Sequence, residues 1–379
     1  MKIGIVCYPT FGGSGVVATE LGMALANKGH EVHFITYNQP VRLDFLSHKL
    51  HFHQVLIEEY PLFEYQPYEL ALSSKMVEVV RKYNLEVLHV HYAIPHAYAA
   101  FMAKQMLKEK GLDIRVVTTL HGTDITLVGS HPTYKTAVEF SINNSDVVTA
   151  VSNNLKETTN KLFNITKNIE VVYNFIDTEK YDNAHKEECK RIALAKPNER
   201  ILTHISNFRP VKRVEDVVKI FSEVRKEIPS KLLMIGEGPE KIKAKKLARE
   251  LKIADDVFFL GNSTEVDKIL CYTDIFLLPS QTESFGLAAL EAMAASTAVI
   301  STNTGGLPEV NIHGKTGYLS NLGDVKDMAK NAILILKDDA VLERFKQKAK
   351  NHTKQFSLEN ILPVYEEIYK SCFKSKVSS

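Results

Sequence analysis

Residues 277–294 read LLPSQTESFGLAALEAMA, and this stretch decides the fold class. The apolar residues that end at Leu278 predict a β-strand, residues 279–283 predict a loop, and a helix is predicted to begin near Ser284. A loop between a strand and a helix presents unpaired backbone N–H groups at the positive end of the helix dipole, which favours a bound anion. Gly286, expected in the first helical turn, lets a bulky anion approach the backbone closely.

Two glutamates flank this anion site. Glu283 precedes the predicted helix and Glu291 follows about two turns later, so a period of about 3.6 residues puts both carboxylates along one side of the helix. Carboxylates beside an anion are repulsive unless they bind hydroxyl groups of the same ligand. The stretch therefore predicts that the ligand of this site is a nucleotide-sugar. The two carboxylates by themselves are also compatible with an ordinary amphipathic helix on which both glutamates are solvated.

The bulk composition is that of a soluble globular protein. The chain has 379 residues, of which 45% are hydrophobic and 24% charged, and its formal net charge is +2. This length allows two domains, and the balanced charge gives no indication of nucleic-acid binding. The four cysteines lack disulfide or metal spacing, and no apolar run has the length of a membrane span. We expect a cytoplasmic protein that binds neither nucleic acid nor membrane, with homo-oligomerisation left open.

Residues 3–36 predict a strand, a glycine-rich loop, a helix from about Val16 and a second strand. This βαβ order places the loop at the carboxyl end of the first strand, where open α/β sheets bind ligands. Residues 13–18 also fit the dinucleotide fingerprint, which needs an acidic residue near the end of the second strand. That strand ends at Thr36 without an acid, which disfavours a nicotinamide enzyme.

Three more strands of the first half run into polar loops, at residues 87–96, 115–124 and 145–154. His89 and His91 share one face of the first of these strands. The following loop supplies no acidic or cysteine ligand, so we expect no metal there. Polar groups that converge at the carboxyl strand ends are candidates for ligand binding, although Ser152 and its neighbours also fit a simple helix cap.

The second half repeats the alternation of strands and amphipathic helices. After a charged connection at residues 180–198, strands are predicted at residues 201–205, 231–235, 257–260, 274–278 and 298–301.

The predicted fold class is α/β, with two doubly wound Rossmann-like domains that face a cleft. We assign residues 1–175, with a last helix at about 356–375, to an acceptor-side domain. Residues 176–355 form the nucleotide-sugar-binding domain. The last helix is predicted to start at Ile361, which puts Pro363 in its first turn.

Transfer of a sugar from a nucleoside diphosphate requires positive groups that stabilise the departing diphosphate. The sequence contains no Asp-x-Asp pair, so we expect a site without metal or cofactor. Arg209 and Lys212 follow a predicted strand, and a planar guanidinium and a compact ammonium both suit a diphosphate. A solvated basic loop is the competing interpretation.

The two glutamates separated by seven residues, with Ser284–Leu287 between them and the GGLPE loop at 305–309, resemble the signature of the retaining glycosyltransferases of family 4. The resemblance covers essentially the whole chain. It implies the GT-B fold, in which the final helix crosses back onto the first domain. It also implies transfer on one face of the sugar, without a protein nucleophile; Glu283 as a nucleophile is the weaker alternative.

The resemblance also implies roles for individual residues. The catalytic set would be Lys212, Arg209, His121 and Glu283. The donor would contact Glu291, Ser284, Phe285, Gly286, Leu287, Asn207, Gly236, Gly261 and Asn262. The family usually carries an arginine five residues before the lysine, where this chain has Asn207, and Arg209 is shifted two residues along.

Four further runs, at residues 12–22, 89–96, 120–126 and 206–213, resemble the subgroup that joins N-acetylglucosamine to L-malate in bacillithiol formation. This implies UDP-N-acetylglucosamine as donor and L-malate as acceptor. A small dicarboxylate suits the amides and hydroxyls of the candidate acceptor residues, which are Gly13, Ser14, Gly15, Tyr92, Thr119, Asn153 and Asn154. A transferase with a lipid or polysaccharide acceptor, suggested by the aromatic loop at 60–68, a UDP-sugar epimerase and a non-catalytic sensor remain the alternatives.

Overall fold

A computed structural model describes residues 1–10, 12–43, 47–57, 64–184, 191, 194–263 and 265–374, with the backbone alone at 182–184 and 374. The aromatic loop predicted at 60–68 and the connection predicted at 180–198 lie partly outside the described residues. The chain divides into two compact units: unit 1 comprises Met1–Asn174 and Leu358–Ser379, and unit 2 comprises Phe175–Ser357.

Unit 1 contains a seven-stranded parallel sheet with strand order β3-β2-β1-β4-β5-β6-β7. Its strands are β1 Lys2–Val6, β2 Glu31–Thr36, β3 Leu50–Gln54, β4 Val87–His91, β5 Arg115–Leu120, β6 Val147–Ala150 and β7 Ile169–Val171. Its helices are α1 Gly13–Asn27, α2 Tyr68–Tyr83, α3 Tyr98–Lys108, α4 Pro132–Asn143 and α5 Asn153–Leu162. The edge strand β3 was not predicted.

Unit 2 contains a six-stranded parallel sheet with strand order β10-β9-β8-β11-β12-β13. Its strands are β8 Arg200–Ile205, β9 Ser230–Ile235, β10 Val257–Gly261, β11 Ile275–Leu278, β12 Ala298–Thr302 and β13 Gly317–Ser320, the last of which was not predicted. Its helices are α6 Thr178–Ala184, α7 Val214–Glu227, α8 Lys241–Glu250, α9 Val266–Leu270, α10 Leu287–Ala294, α11 Leu307–Val310, α12 Val325–Leu336 and α13 Asp339–Thr353. The predicted α/β class is confirmed.

Helix α1 begins three residues before the predicted start at Val16. Gly12 is extended, with φ −67° and ψ 151°, and helical geometry begins at Gly13. Glycine is unfavourable in the interior of a helix, which is why the glycine-rich sequence predicted a later start.

Strand β4 is buried on both faces, as a central parallel strand covered by helices must be. Leu88 and Val90 pack into an apolar cluster with α2 and α3. Since side chains alternate along a strand, His89 and His91 face the other side of the sheet.

The last helix, α14 Leu358–Lys374, covers that other side. Buried Tyr369 places its hydroxyl 2.8 Å from His89 Nδ1, so the predicted return of the final helix to the first domain is confirmed. The helix begins before the predicted Ile361, and Pro363 therefore lies in its interior rather than in its first turn.

Replacement of Tyr369 by phenylalanine should destabilise unit 1. The change leaves His89 Nδ1 without its buried partner, at a cost of about 1–3 kcal/mol. We expect a lower urea midpoint by circular dichroism. The control is Tyr65→Phe, because the Tyr65 side chain is 82% exposed. Equal midpoints for both variants would show that the buried bond gives no net stabilisation.

Candidate active site

The loop between β11 and α10 and the helix itself hold five of the nine predicted donor-binding residues, with Ser284, Phe285 and Gly286 in the loop and Leu287 and Glu291 on α10. Gly286 is the N-cap of α10, with a left-handed φ of 102°. A helix from Ser284 with Gly286 in its first turn was therefore a wrong prediction, because a left-handed residue cannot continue a right-handed helix. A Cβ at Gly286 would lie 2.7 Å from Leu307 Cδ2, so the bend requires glycine.

The N–H groups of Gly286 and Leu287 lie at this bend, at the start of α10. Neither donates a hydrogen bond within the part of the chain that the structure describes. They can bind an anion at the start of α10. Phe285 is buried, and its ring packs edge-on against Phe356, so only its backbone lies at the bend.

A second glycine turn supports this loop from behind. The Gly306 N–H donates to the Glu283 carbonyl at 2.8 Å. A Cβ at Gly305 would lie 2.0 Å from that same carbonyl oxygen, and one at Gly306 would lie 2.4 Å from the Ser284 carbonyl. Two glycines are therefore needed for the backbones to approach, and their approach holds Glu283 in place.

Lys212 and Glu283 form an ion pair. The Gln281 N–H donates to the Val211 carbonyl at 2.8 Å and joins the loops that follow β11 and β8. Lys212 Nζ then lies 2.5 Å from Glu283 Oε1, which also accepts from Ser280 Oγ at 2.9 Å. Both side chains are mostly buried, with 21% and 14% exposed. The structure thus brings together two predicted residues whose contact was not predicted.

Glu291 lies on α10 and is partly buried. Glu283 lies in the loop, so the helical period does not set the relation between the two carboxylates. The prediction that both border one side of the helix on that basis was wrong, because residues 283–286 are not helical.

The two residues that compete for the usual arginine position, Asn207 and Arg209, are both exposed. The Arg209 side chain makes no hydrogen bond or ion pair with any described residue, so its guanidinium is available to an anion.

Gly236 packs against the loop after β8, since a Cβ there would lie 1.8 Å from the Ser206 carbonyl oxygen. Its N–H donates to the Gly261 carbonyl at 2.7 Å. Asn262 follows and is exposed. The predicted donor contacts Gly236, Gly261 and Asn262 thus lie together at one end of the sheet.

His204 was missed by sequence reasoning. This buried side chain on β8 contacts the Leu277 carbonyl through Nδ1 and Ser206 Oγ through Nε2, both at 2.8 Å. It therefore joins the ends of β11 and β8 beneath the ion pair. Burial lowers the pKa of His204 to about 4, so the ring is neutral. A histidine inside an apolar strand was the available signal.

The first turn of α1 forms a second polar site, in unit 1. The Gly15 N–H donates to the Gly12 carbonyl at 3.0 Å, so of the three predicted amides only those of Gly13 and Ser14 remain available. Ser14 Oγ lies 2.5 Å from the Tyr92 hydroxyl. Tyr92 has a positive φ of 87°, and burial raises the pKa of its phenol.

His121 lies beside this site. Its Nε2 is 2.8 Å from His91 Nδ1, and its ring centroid is 5.1 Å from that of Tyr92. Burial lowers the pKa of His121 to about 3, so the imidazole is neutral.

Thr119 is fully buried, with its hydroxyl 2.7 Å from both His89 Nε2 and Thr149 Oγ1. The structure therefore gives it a supporting position behind the surface rather than a position on it.

Asn153 and Asn154 are exposed at the start of α5. Asn153 Nδ2 donates to the Tyr173 hydroxyl at 2.8 Å. The cap interpretation of Ser152 is confirmed, because Ser152 Oγ accepts from the Leu155 N–H at 3.0 Å.

Comparison with known proteins agrees with this geometry. Residues 11–180 match the family model described as Glycosyltransferase Family 4, and residues 185–352 match Glycosyl transferases group 1. The chain is 48% identical to the N-acetyl-alpha-D-glucosaminyl L-malate synthase of Bacillus anthracis over 97% of its own length and 96% of that enzyme. The chain belongs to the family 4 glycosyltransferases.

Solved structures show the fold of this glycosyltransferase. Sucrose-phosphate synthase from Thermosynechococcus elongatus superposes with a TM-score of 0.81 at 20% identity, over 99% of this chain and 100% of that one. HepE from Anabaena, solved with UDP-glucose, gives a TM-score of 0.81 at 17% identity, over 98% and 100%. The GT-B fold is confirmed. Among the helices described, none has the length and apolar composition that crossing a bilayer requires.

Asp124 holds two loops of the glycosyltransferase together and was not predicted as a site residue. Its carboxylate accepts from the Ala93 N–H at 2.8 Å and from the Gly122 N–H at 2.9 Å. Burial raises the pKa of Asp124 to about 6 against the opposing effect of these N–H donors.

Unit 1 should lose stability as the pH falls below about 6.5. Burial lowers the pKa to about 3 in His89 and His121, to about 4 in His96, and well below 6.5 in His91. In the unfolded chain these histidines become protonated as the pH falls through about 6.5, whereas in the folded unit they stay neutral. Acid therefore favours unfolding. Asp124 offsets about one proton between pH 6 and 4, so these four histidines and Asp124 together contribute a slope of about 4 kcal/mol per pH unit near pH 5. Burial also lowers the pKa of His33 and of His53 to about 4, and both add to the slope in the same direction.

The measurement is the urea midpoint at pH 7.5, 6.5, 5.5 and 5.0. The control is His48→Gln, since His48 is exposed on a loop and its replacement should leave the slope unchanged. A flat profile down to pH 5 would mean that the buried rings take up protons without unfolding.

Proposed function

We propose that this glycosyltransferase transfers N-acetylglucosamine from UDP-N-acetylglucosamine to L-malate, with retention of configuration and without a metal ion. The observation that carries the proposal is the 48% identity, over nearly the full length of both chains, to an enzyme named for that product. The polar groups of the two units support it.

The donor would bind to unit 2. Its diphosphate suits the ammonium of Lys212, the guanidinium of Arg209 and the N–H groups that begin α10. Glu283 pairs with Lys212 at 2.5 Å. A diphosphate competes for the ammonium, and as Lys212 turns towards it, Glu283 Oε1 becomes available to a hydroxyl of the sugar.

Lys212 would then stabilise the charge that develops on the leaving phosphate. Glu283 accepts from both Lys212 and Ser280, an arrangement that suits hydrogen bonding better than covalent attack. We therefore assign no protein nucleophile, and the leaving phosphate would take the proton of the acceptor on the same face of the sugar. His121 is neutral, and His91 occupies its Nε2, so Nδ1 is the atom left for a substrate hydroxyl.

The acceptor would bind to unit 1. The free amides of Gly13 and Ser14 at the start of α1 suit one carboxylate of L-malate. The Ser14–Tyr92 hydroxyl pair supplies neighbouring hydrogen-bonding groups.

Lys212→Gln should abolish most of the transfer. Loss of one charged group at the leaving phosphate is expected to lower kcat/KM about 10²–10³-fold. The measurement is UDP release from UDP-N-acetylglucosamine in EDTA, with and without L-malate. The control is Lys348→Gln, because the Lys348 side chain is exposed and has no partner among the residues described. Parallel Arg209→Gln and Asn207→Ala variants show which residue supplies the usual arginine function.

UDP release that depends on L-malate, survives EDTA, and collapses in Lys212→Gln but not in Lys348→Gln would support the proposal, and an α-linked product by NMR would establish retention. Donor binding without any dependence on L-malate would overturn the acceptor assignment. Formation of an epimeric UDP-sugar without acceptor would identify an epimerase instead.

Tyr92→Phe should weaken acceptor binding selectively. Removal of the hydroxyl costs one hydrogen bond of about 1 kcal/mol, so the KM for L-malate should rise about 5–10-fold while the KM for the donor stays unchanged. The control is Tyr134→Phe, because Tyr134 is 45% exposed. An equal rise in both KM values would place Tyr92 outside the acceptor site.

A further inference from the structure

Three imidazoles and a carboxylate line one face of β2 and of the edge strand β3 in unit 1, beginning at the amino end of β2. Glu31 and His33 are the first and third residues of β2 and face the same side. His51 lies on the edge strand β3, in direct register with His33, and His53 follows two residues later. The candidate acceptor residues Ser14 and Tyr92 instead follow carboxyl strand ends.

The spacing of one atom from each of three residues fits a metal ion. Glu31 Oε1 lies 3.1 Å from His33 Nε2 and 3.7 Å from His51 Nε2, and the ligand atoms of all three residues lie within 4.8 Å of one another. Tetrahedral zinc with bonds of about 2.0–2.1 Å requires ligand atoms about 3.3–3.4 Å apart.

Two of the candidate ligands are contacted by further side chains that orient them, as metal ligands in proteins usually are. His33 Nδ1 lies 2.9 Å from His53 Nε2, so His53 can accept the Nδ1 proton and leave Nε2 of His33 as the ligand atom. The other oxygen of Glu31, Oε2, is held by Lys2 Nζ at 3.2 Å. This contact orients Oε1 towards the histidines, although it also brings a positive charge near the site.

One of the candidate ligands, His33, is fully buried, whereas another, His51, is partly exposed. Tyr83 packs against His33 with ring centroids 4.6 Å apart. The His51 side chain is 35% exposed and stacks on His33 with centroids 4.4 Å apart. To bind the same ion, His51 must turn out of this stack, and its exposure allows that rotation.

We propose that Glu31, His33 and His51 form a Zn²⁺ site that ties the edge strand β3 to β2, separate from the sugar-transfer site. Two imidazoles and one carboxylate are a set of ligands with which proteins bind zinc. Water then occupies the fourth coordination position. Mg²⁺ prefers oxygen ligands and should not compete.

The test is Zn²⁺ binding by tag-free, metal-stripped full-length protein, measured by isothermal titration calorimetry. Wild type should bind one Zn²⁺, and His51→Ala should weaken binding at least about 100-fold. Loss of the outer partner in His53→Ala should weaken it about 10–100-fold. The matched control is His48→Ala, an exposed histidine three residues from His51, which should change affinity less than twofold.

Two further readouts keep the proposal falsifiable. Co²⁺ should give the visible absorption of a tetrahedral N/O site without thiolate charge transfer, and His51→Ala should abolish it. Zn²⁺ should raise the unfolding temperature of wild type and His48→Ala but not of His51→Ala, with transferase activity unchanged in all three. Equal Zn²⁺ affinity in wild type and His51→Ala, or a thiolate band with Co²⁺, would overturn the site.

Discussion

The contact between Lys212 and Glu283 depends on the strand order of unit 2. β8 and β11 are neighbours in the sheet although far apart in the chain, so the loops at their carboxyl ends meet. Glycines at 236, 305 and 306 remove the side chains that would keep the backbones apart. An ammonium and a carboxylate at hydrogen-bond distance compensate each other's charge at this point of the site.

Buried polar groups organise unit 1 in the same way. A buried imidazole is costly unless its ring nitrogens have partners. His89 meets this demand, since its ring nitrogens contact Thr119 of β5 and Tyr369 of the last helix, and Thr119 in turn contacts Thr149 of β6. Nε2 of His91 and Nε2 of His96 have no hydrogen-bond partner among the residues that the structure describes. The return of α14 to unit 1 therefore completes a polar core as well as an apolar one.

The two ends of the unit 1 sheet carry different chemistry. The carboxyl end presents free amides and hydroxyls, as parallel sheets commonly do at ligand sites. The face of β2 that begins at its amino end carries a carboxylate and a histidine beside two histidines of β3. β3 is an edge strand, which is paired with a neighbouring strand on one side only. A metal at that end would act on stability rather than on transfer.

The sequence by itself determined the alternation of strands and helices, the two-domain α/β class and the family, because these depend on local periodicity and on short motifs. It also identified Lys212 and Glu283 separately. Only the tertiary structure decided that they pair, that Thr119 is buried and that Gly286 caps α10. The physical reason is that these facts depend on which strands are neighbours and on steric contacts between loops distant in sequence. The adjacency of His33 and His51 has the same origin, since it follows from pairing with a strand that local pattern did not reveal.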